Sequence, residues 1–241
     1  MASKVRLFVD HPLGEGQTVP LSRDQGNYLF AVMRLTVGTV LSVINGSDGE
    51  WDAEVVEANK RAGVLRCLTQ TRPMQPPPDV WLLFAPIKKE RTAFIVEKAT
   101  ELGAAKIIPV QTDFTQIANR VRQDKLQAHA IEATEQCGGT FVPAVDALQP
   151  MSKLLNDWPQ DRHLLFCDET LLDDPHQMAD LPDGPWAILI GPEGGFSEAE
   201  RTALRDHPNS HPISLGPRIL RADTAAVAAL TLWQREKGDW R

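Results

Sequence analysis

Two segments in the last quarter of the chain have residue types and spacings suited to holding a ligand. The first is Trp186-Ala-Ile-Leu-Ile-Gly-Pro-Glu-Gly-Gly-Phe-Ser197. An apolar run reads as a buried strand, Gly191-Pro-Glu-Gly-Gly195 follows, and Ser197-x-x-Glu200 is a capping box that opens a helix. Neighbouring glycines let backbone approach a ligand where a Cβ would collide. The loop stands at the carboxyl end of a strand, where open α/β sheets bind ligands. A tight turn that is merely glycine-rich is the alternative. Neither the phosphate-loop pattern G-x-x-x-x-G-K-S/T nor the dinucleotide pattern G-x-G-x-x-G occurs here. The second segment is Ser214-Leu-Gly-Pro-Arg-Ile-Leu-Arg-Ala-Asp-Thr-Ala-Ala226. Gly216-Pro217 forces a bend, and Arg218 and Arg221 project from a loop that enters a final helix. Two arginines beside a helix N-terminus gather positive potential suited to an anion. A surface ion pair with the acidic stretch Asp157–Asp183 is the alternative. Residues Ala222–Ala229 are small, so this helix can approach another backbone closely, although core packing accounts for most of Ala225–Leu232.

These segments need a scaffold, and the chain supplies strand–helix alternation from residue 80 onward. Val80–Ala85, Ala105–Val110, His163–Cys167 and Trp186–Ile190 read as strands. Helices are expected over Glu90–Leu102, stopped by Gly103, over Gln123–Gln136, over Ser197–His207, and over Asp223–Lys237 with Asp223 as N-cap. Apolar strands separated by helices predict a mainly parallel α/β sheet. Upstream, Arg72-Pro-Met-Gln-Pro-Pro-Pro-Asp79 is a stiff extended connector. Before it lie the β-like runs Val5–Val9, Thr39–Ile44, Trp51–Ala58 and Val64–Thr71, with a turn at Asn45–Gly49. Ser22-x-x-Gln25 caps a short helix through about Met33. The expected division is a small β-barrel-like domain over 1–72, a linker over 73–79 and an α/β domain over 80–241.

With 241 residues, 42% of them hydrophobic, the chain can bury a real core without disulfides or metal. Its longest apolar stretch, around Val80–Ile87, is too short to span a bilayer, and the first residues lack the design of a secretion signal. A cytoplasmic protein with no membrane partner is expected. Three widely spaced cysteines, Cys67, Cys137 and Cys167, form no zinc spacing, and the six histidines form no cluster, so no metal is expected. Net charge is −7, and the excess of acid over base lies after residue 130, where 18 acidic side chains face 9 basic ones. That balance argues against indiscriminate polyanion binding but leaves room for a local basic face that engages one folded RNA.

From Lys88 to Ala226 the chain resembles the RsmE family of 16S ribosomal RNA uridine-N3 methyltransferases, within the SPOUT superfamily. The matching pieces are Lys88, Glu97-Lys-Ala-Thr-Glu-Leu-Gly103, Pro109, Glu132, Glu135-Gln136, Val142-Pro143, Ile190–Gly195 and Leu215–Ala225. Arg6-Leu-Phe-Val9 and Val32-Met-Arg34 with Gly38 are similar to the family's leading PUA-like β-barrel. The resemblance implies an α/β C-terminal SPOUT-type domain with a deep trefoil knot, preceded by that small barrel. It also implies a homodimer with the active site at the subunit junction. S-adenosylmethionine is then held by the two glycine-bearing loops: Leu189, Ile190, Gly191, Gly194 and Gly195 from the first, Leu215, Gly216, Ile219 and Leu220 from the second, with Thr224 nearby. The chain departs from the family at three places. Gly138-Gly-Thr-Phe141 replaces an arginine-bearing segment, Asp113-Phe-Thr-Gln-Ile-Ala-Asn119 replaces a basic, serine-bearing one, and Tyr28 replaces a histidine.

For methyl transfer to uridine N3, a proton must leave and the resulting anion must be stabilised. Arg221 is the candidate for anion stabilisation. Glu193 is the candidate proton acceptor, or else braces its loop. Because N3 is paired in duplexes, the target base must be unpaired or extruded. Arg6, Arg23 and Arg34 of the barrel, with Lys88, are expected to grip the RNA of the small ribosomal subunit. Ribose 2′-O or guanine N1 methylation by the same superfamily is a competing reading. So is a non-catalytic RNA-binding assembly protein, although a binder needs no cofactor cradle.

Overall fold

The structure, a computed structural model, describes residues 5–59, 61–116, 121–171 and 178–241. The chain divides into two compact units, one of residues 1–76 with 134–142 and one of 77–133 with 143–241. The cut after Pro76 falls inside the proline-rich connector.

The first unit is a five-stranded sheet. Its strands are β1 (Arg6–Phe8), β2 (Thr18–Pro20), β3 (Val40–Ile44), β4 (Glu50–Asn59) and β5 (Ala62–Arg72), in the order β1-β3-β4-β5-β2. Only β1 and β3 pair in parallel; the other pairs are antiparallel. β2 was not evident in the sequence, being three residues long and ending in a proline that only a sheet edge tolerates. Between β2 and β3, Ser22 and Gln25 form the anticipated capping box on α1 (Arg23–Gly26), which runs directly into a π-helical segment, Asn27–Val32. The β3–β4 turn has Gly46 and Gly49 at positive φ, and Asn45 accepts from the amides of Ser47 and Asp48. Leu7, Val19, Leu29, Leu41, Val43, Val55 and Leu65 form the core. A polar hub sits at one end. Glu50 accepts from Ser42, Arg6 and Arg72, and the two arginines also donate to the carbonyls of Thr134, Glu135, Gly138 and Gly139. Thr134 and Glu135 lie in the last turn of a helix, whose carbonyls its own backbone cannot satisfy, and Gly138 and Gly139 follow directly after it.

The second unit follows the alternation read from the sequence, with short additions. In chain order it contains β6 (Val80–Phe84), α2 (Lys89–Glu101), β7 (Lys106–Gln111), α3 (Gln123–Cys137), β8 (Ala144–Val145), β9 (Gln149–Pro150), α4 (Met151–Asn156) and β10 (His163–Cys167). A 3-10 turn, β11 (Trp186–Ile190), α5 (Glu198–Asp206), β12 (Ser210–Ile213) and α6 (Ala222–Glu236) complete it. The last turn of α3, from Thr134, belongs to the first unit. Strand order is β12-β10-β11-β6-β7-β8 with β9 beside β7, and every pairing is parallel. Strands covered on both faces read as continuous apolar runs, as Trp186–Ile190 does, buried throughout. One face packs on α2, α3 and α6 through Leu82, Phe84, Ile95, Ala99, Ala130, Ala226 and Trp233. The other packs on α4 and α5 through Leu83, Ile108, Met151, Phe166, Leu189 and Leu204.

One expectation for α6 changes. Its N-cap is Arg221 rather than Asp223: the Arg221 carbonyl accepts from the Ala225 amide at 2.8 Å, so the helix starts at Ala222. Asp223 lies in the first turn, where its carboxylate accepts from the Thr224 amide. The small side chains of Ala222, Ala225, Ala226 and Ala229 are buried in this unit's own core. Among the described residues no helix is long and apolar enough to cross a membrane. Nor is any group of three His, Cys, Asp or Glu side chains placed to hold a metal ion.

Candidate active site

β10, β11 and β12 are neighbours in the sheet, so the loops leaving their carboxyl ends converge. Together they wall a cavity of about 280 Å³. The chain builds outward through β6, β7 and β8, returns to the other side of β6 to lay down β10, then places β11 between β10 and β6 and β12 outside β10. Such a reversal of strand order is where α/β sheets open a crevice. Cys167, Asp168 and Glu169 contribute from the end of β10, Ile190–Glu193 and Gly195 from β11, and Ile213–Gly216 with Arg218–Ala222 from β12.

Local contacts hold each loop. In the first glycine loop, Gly195 has φ +71°, and a Cβ there would collide with the Glu169 carboxylate. Arg201 holds that carboxylate at 3.2 Å and donates to the Phe196 carbonyl at 2.6 Å. A Cβ on Gly191 would lie 2.7 Å from the Phe196 ring. Ser197 then caps α5 through the capping box with Glu200. In the second loop, Gly216 has φ +102° and donates to Ser214 Oγ at 3.2 Å.

The charges around the cavity are unequal in freedom. Burial alone would raise the Asp168 pKa, but donors from Arg205 and Thr170 outweigh it and hold the carboxyl below its ordinary range. Asp168 is thus a saturated carboxylate. Burial pushes the Cys167 thiol up to about 12, so it is a neutral wall group. Glu193 accepts from Arg91 at 3.1 Å, and Arg91 Nε lies 3.7 Å from Asp223, so Arg91 links the first loop to the start of α6. Arg218 and Arg221 are exposed and line the cavity. Among the described residues neither has an ion-pair partner, whereas Asp168, Glu169 and Asp183 of the acidic stretch pair with Arg205, Arg201 and Lys237.

Comparison with known proteins gives this geometry a family. An RNA methyltransferase domain model matches residues 74–234, and an RNA methyltransferase PUA domain model matches residues 21–66. Ribosomal RNA small subunit methyltransferase E of Rickettsia conorii is 30% identical over 229 residues, covering 93% of each chain. The chain belongs to this RNA methyltransferase family. The protein of the same name from Mycobacterium bovis is also 30% identical, over 93% of this chain and 88% of its own. A crystal structure of ribosomal RNA small subunit methyltransferase E from Neisseria gonorrhoeae, bound to S-adenosyl methionine, superposes with a TM-score of 0.88. It is 25% identical over 99% of this chain and all of its own. A putative methyltransferase from Legionella pneumophila, in complex with the bound cofactor SAM, gives a TM-score of 0.87 at 29% identity over the same shares of each chain.

Within this methyltransferase, Ile190, Gly191, Gly195, Leu215, Gly216, Ile219 and Leu220 line the cavity, as do Glu193 and Arg221. Three residues expected at the cofactor lie off its wall. Leu189 points to the opposite face of the sheet, because strand side chains alternate, and packs against α4 and α5. Gly194 faces Phe114. Thr224, in the first turn of α6, is exposed. Of the residues expected to grip RNA, Arg23, Arg34 and Lys88 are exposed. Arg6 is not placed for that role: its guanidinium is spent on Glu50 and on the carbonyls of Thr134, Glu135 and Gly139. The reading of the sequence missed the Asp168-Glu169 wall and Arg91. Applying the strand-end rule to β10 as well as β11 would have pointed to the first; Arg91 has no local signal.

Proposed function

We propose that this protein transfers the methyl group of S-adenosylmethionine to N3 of a uridine in the 16S ribosomal RNA of the small ribosomal subunit, as a cytoplasmic homodimer. The observation that carries the reading is the cavity at the ends of β10, β11 and β12, walled by two glycine-bearing loops and edged by two arginines that have no ion-pair partner among the described residues. Its residues fit the cofactor. Gly216 has open space where a Cβ would stand, and Ile190, Leu215 and Leu220 provide an apolar lining among backbone amides and carbonyls. That mixture suits a flat nucleoside with a charged tail.

S-adenosylmethionine supplies an electrophilic methyl carried on a positively charged sulfur. The chain's task is to orient the partners, exclude water and manage one proton. Arg221, at the N-cap of α6 and without a counter-ion among the described residues, stabilises the uridine anion as the N3 proton passes to solvent water. Glu193, engaged by Arg91, braces the loop. Arg23, Arg34 and Lys88 supply exposed cations for the RNA backbone.

A SPOUT-type trefoil knot in the second unit and a closed PUA-like barrel in the first belong to the same reading. The family match supports both, and the β12-β10-β11 order supports the knot by bringing the two glycine loops to either side of one strand end. Exposed Phe94 on α2 and Leu232 on the neighbouring α6 support dimerisation, which light scattering tests. Three free cysteines suit a reducing compartment. To test the function, the protein is incubated with labelled S-adenosylmethionine and small subunits lacking the modification, and the nucleosides are analysed by mass spectrometry. Labelled 3-methyluridine is expected. A 2′-O-methyl nucleoside or 1-methylguanosine would replace the proposed chemistry, and an unlabelled RNA would leave a non-catalytic binder.

A further inference from the structure

We propose that Phe114 is the platform on which the acceptor pyrimidine stacks, in a second hollow that shares the first glycine loop with the cofactor cavity. The inference rests on the methyltransferase reading above and adds the place of the target base. The hollow is lined by Asp113, Phe114, Thr115, Gln116 and Gly194. Gly194 belongs to the loop whose Gly191–Glu193 and Gly195 wall the cofactor cavity, so one short loop borders both spaces. A reaction that joins two ligands needs their sites this close.

The ring is presented rather than packed. Phe114 is 49% exposed in a loop of polar neighbours. The ring lies directly over the first glycine loop: a Cβ on Gly194 would stand 3.5 Å from the Phe114 Cβ and 3.7 Å from Cδ2, in ordinary contact. The residues around it are anchored. The Asp113 amide donates to Glu200 Oε1 at 2.8 Å, and Ser197 Oγ donates to Asp113 Oδ2 at 2.6 Å. The Thr112 amide donates to Thr115 Oγ1 at 2.9 Å. The backbone that carries Phe114 is therefore held before any substrate arrives, which lowers the cost of binding.

The chemistry favours a base over another protein surface. A single flat ring among hydrogen-bonding side chains matches how proteins take one unstacked base, by stacking on its face and bonding its edge. Gln116 is exposed, and its amide has no partner among the described residues; its N–H groups can meet a pyrimidine carbonyl. An extruded base loses its neighbours in the RNA stack, and the ring replaces one of them. A subunit interface would instead surround Phe114 with further exposed apolar side chains, and the other lining residues here are polar or glycine.

The test compares wild type, Phe114→Ala and Phe114→Tyr on small subunits lacking the modification. It reads kcat and KM for the RNA, calorimetric affinity for S-adenosylmethionine, and mass by light scattering. Stacking of this kind predicts a fall in kcat/KM of about tenfold to a hundredfold in Phe114→Ala. The fall should appear mainly in KM, with cofactor affinity and mass unchanged and with most activity restored in Phe114→Tyr. Wild-type kinetics in Phe114→Ala overturn the platform while leaving the function intact. Weakened cofactor binding overturns it in favour of a loop brace, and a changed mass overturns it in favour of a second copy seated on the ring. A wild-type protein that transfers no methyl overturns the function first and the platform with it.

Discussion

Arg221 and the two loop glycines carry the sharpest consequences at the scale of single residues. Arg221 lines the cavity, and its side chain serves no other group among the described residues. Arg221→Ala should therefore keep the fold and most cofactor affinity while kcat falls by about a hundredfold to a thousandfold, the usual loss when a charge-stabilising donor is removed. Single-turnover transfer set beside calorimetry reads both, and full turnover in the variant would take Arg221 out of the mechanism. Gly195 and Gly216 differ instructively. Both sit at positive φ, where a β-branched residue is strained by about 1–3 kcal/mol. Gly195 also leaves room for the Glu169 carboxylate, whereas Gly216 faces open cavity. Valine at Gly195 should disturb the wall and lower the melting temperature. Valine at Gly216 should chiefly block the cofactor, so calorimetric binding disappears while much of the stability remains.

At the scale of elements, α5 and its capping box do more than start a helix. Ser197 caps Glu200 in the usual way and also donates to Asp113, while Glu200 accepts from the amides of both Ser197 and Asp113. Two loops, one after β7 and one after β11, are thus tied to one helix start. Ser197→Ala should cost about 1 kcal/mol, as a lost cap does. Glu200→Ala leaves two amides without acceptors beside a buried position, a loss of about 2–4 kcal/mol at the usual cost per unsatisfied group. Urea unfolding of the two variants should rank them in that order, and equal effects would mean that the link to Asp113 contributes nothing.

For the whole molecule, the titrating groups set the response to acid. Burial lowers the pKa of His207, and burial with the nearby His163 lowers that of His211, from an ordinary 6.5. The unfolded chain then binds these protons first, so stability declines as pH falls below about 6.5. Glu50 and Asp168 lie in the next window. Burial opposes their ionisation, but Ser42, Arg72 and Arg6 around Glu50, and Arg205 and Thr170 around Asp168, hold both carboxyls below their ordinary values. Their contribution is complete above about pH 5 and is lost as pH falls through the lowered folded values. Unfolding midpoints measured from pH 8 to pH 3 should therefore fall in two stages. Glu50→Gln should lower stability at neutral pH and flatten the second stage, because the arginines would face a neutral amide.

What the chain reveals residue by residue is local. The parallel α/β alternation, the capping boxes at Ser22 and Ser197, the proline connector and the two glycine-bearing loops were all legible, because each depends on periodicity or on φ requirements within a few neighbouring positions. Tertiary structure alone decided what depends on residues far apart in sequence. It brought β10 between β11 and β12, and so added Asp168 and Glu169 to the cavity. It gave Arg6 to Glu50 and to carbonyls more than a hundred positions away, removing it from the expected RNA contacts. Among the described residues it left Arg218 and Arg221 without counter-ions and paired Asp168, Glu169 and Asp183 with other cations. A guanidinium has the same charge wherever it falls in a sequence, and whether that charge is spent or available is settled by what folding places within hydrogen-bond reach.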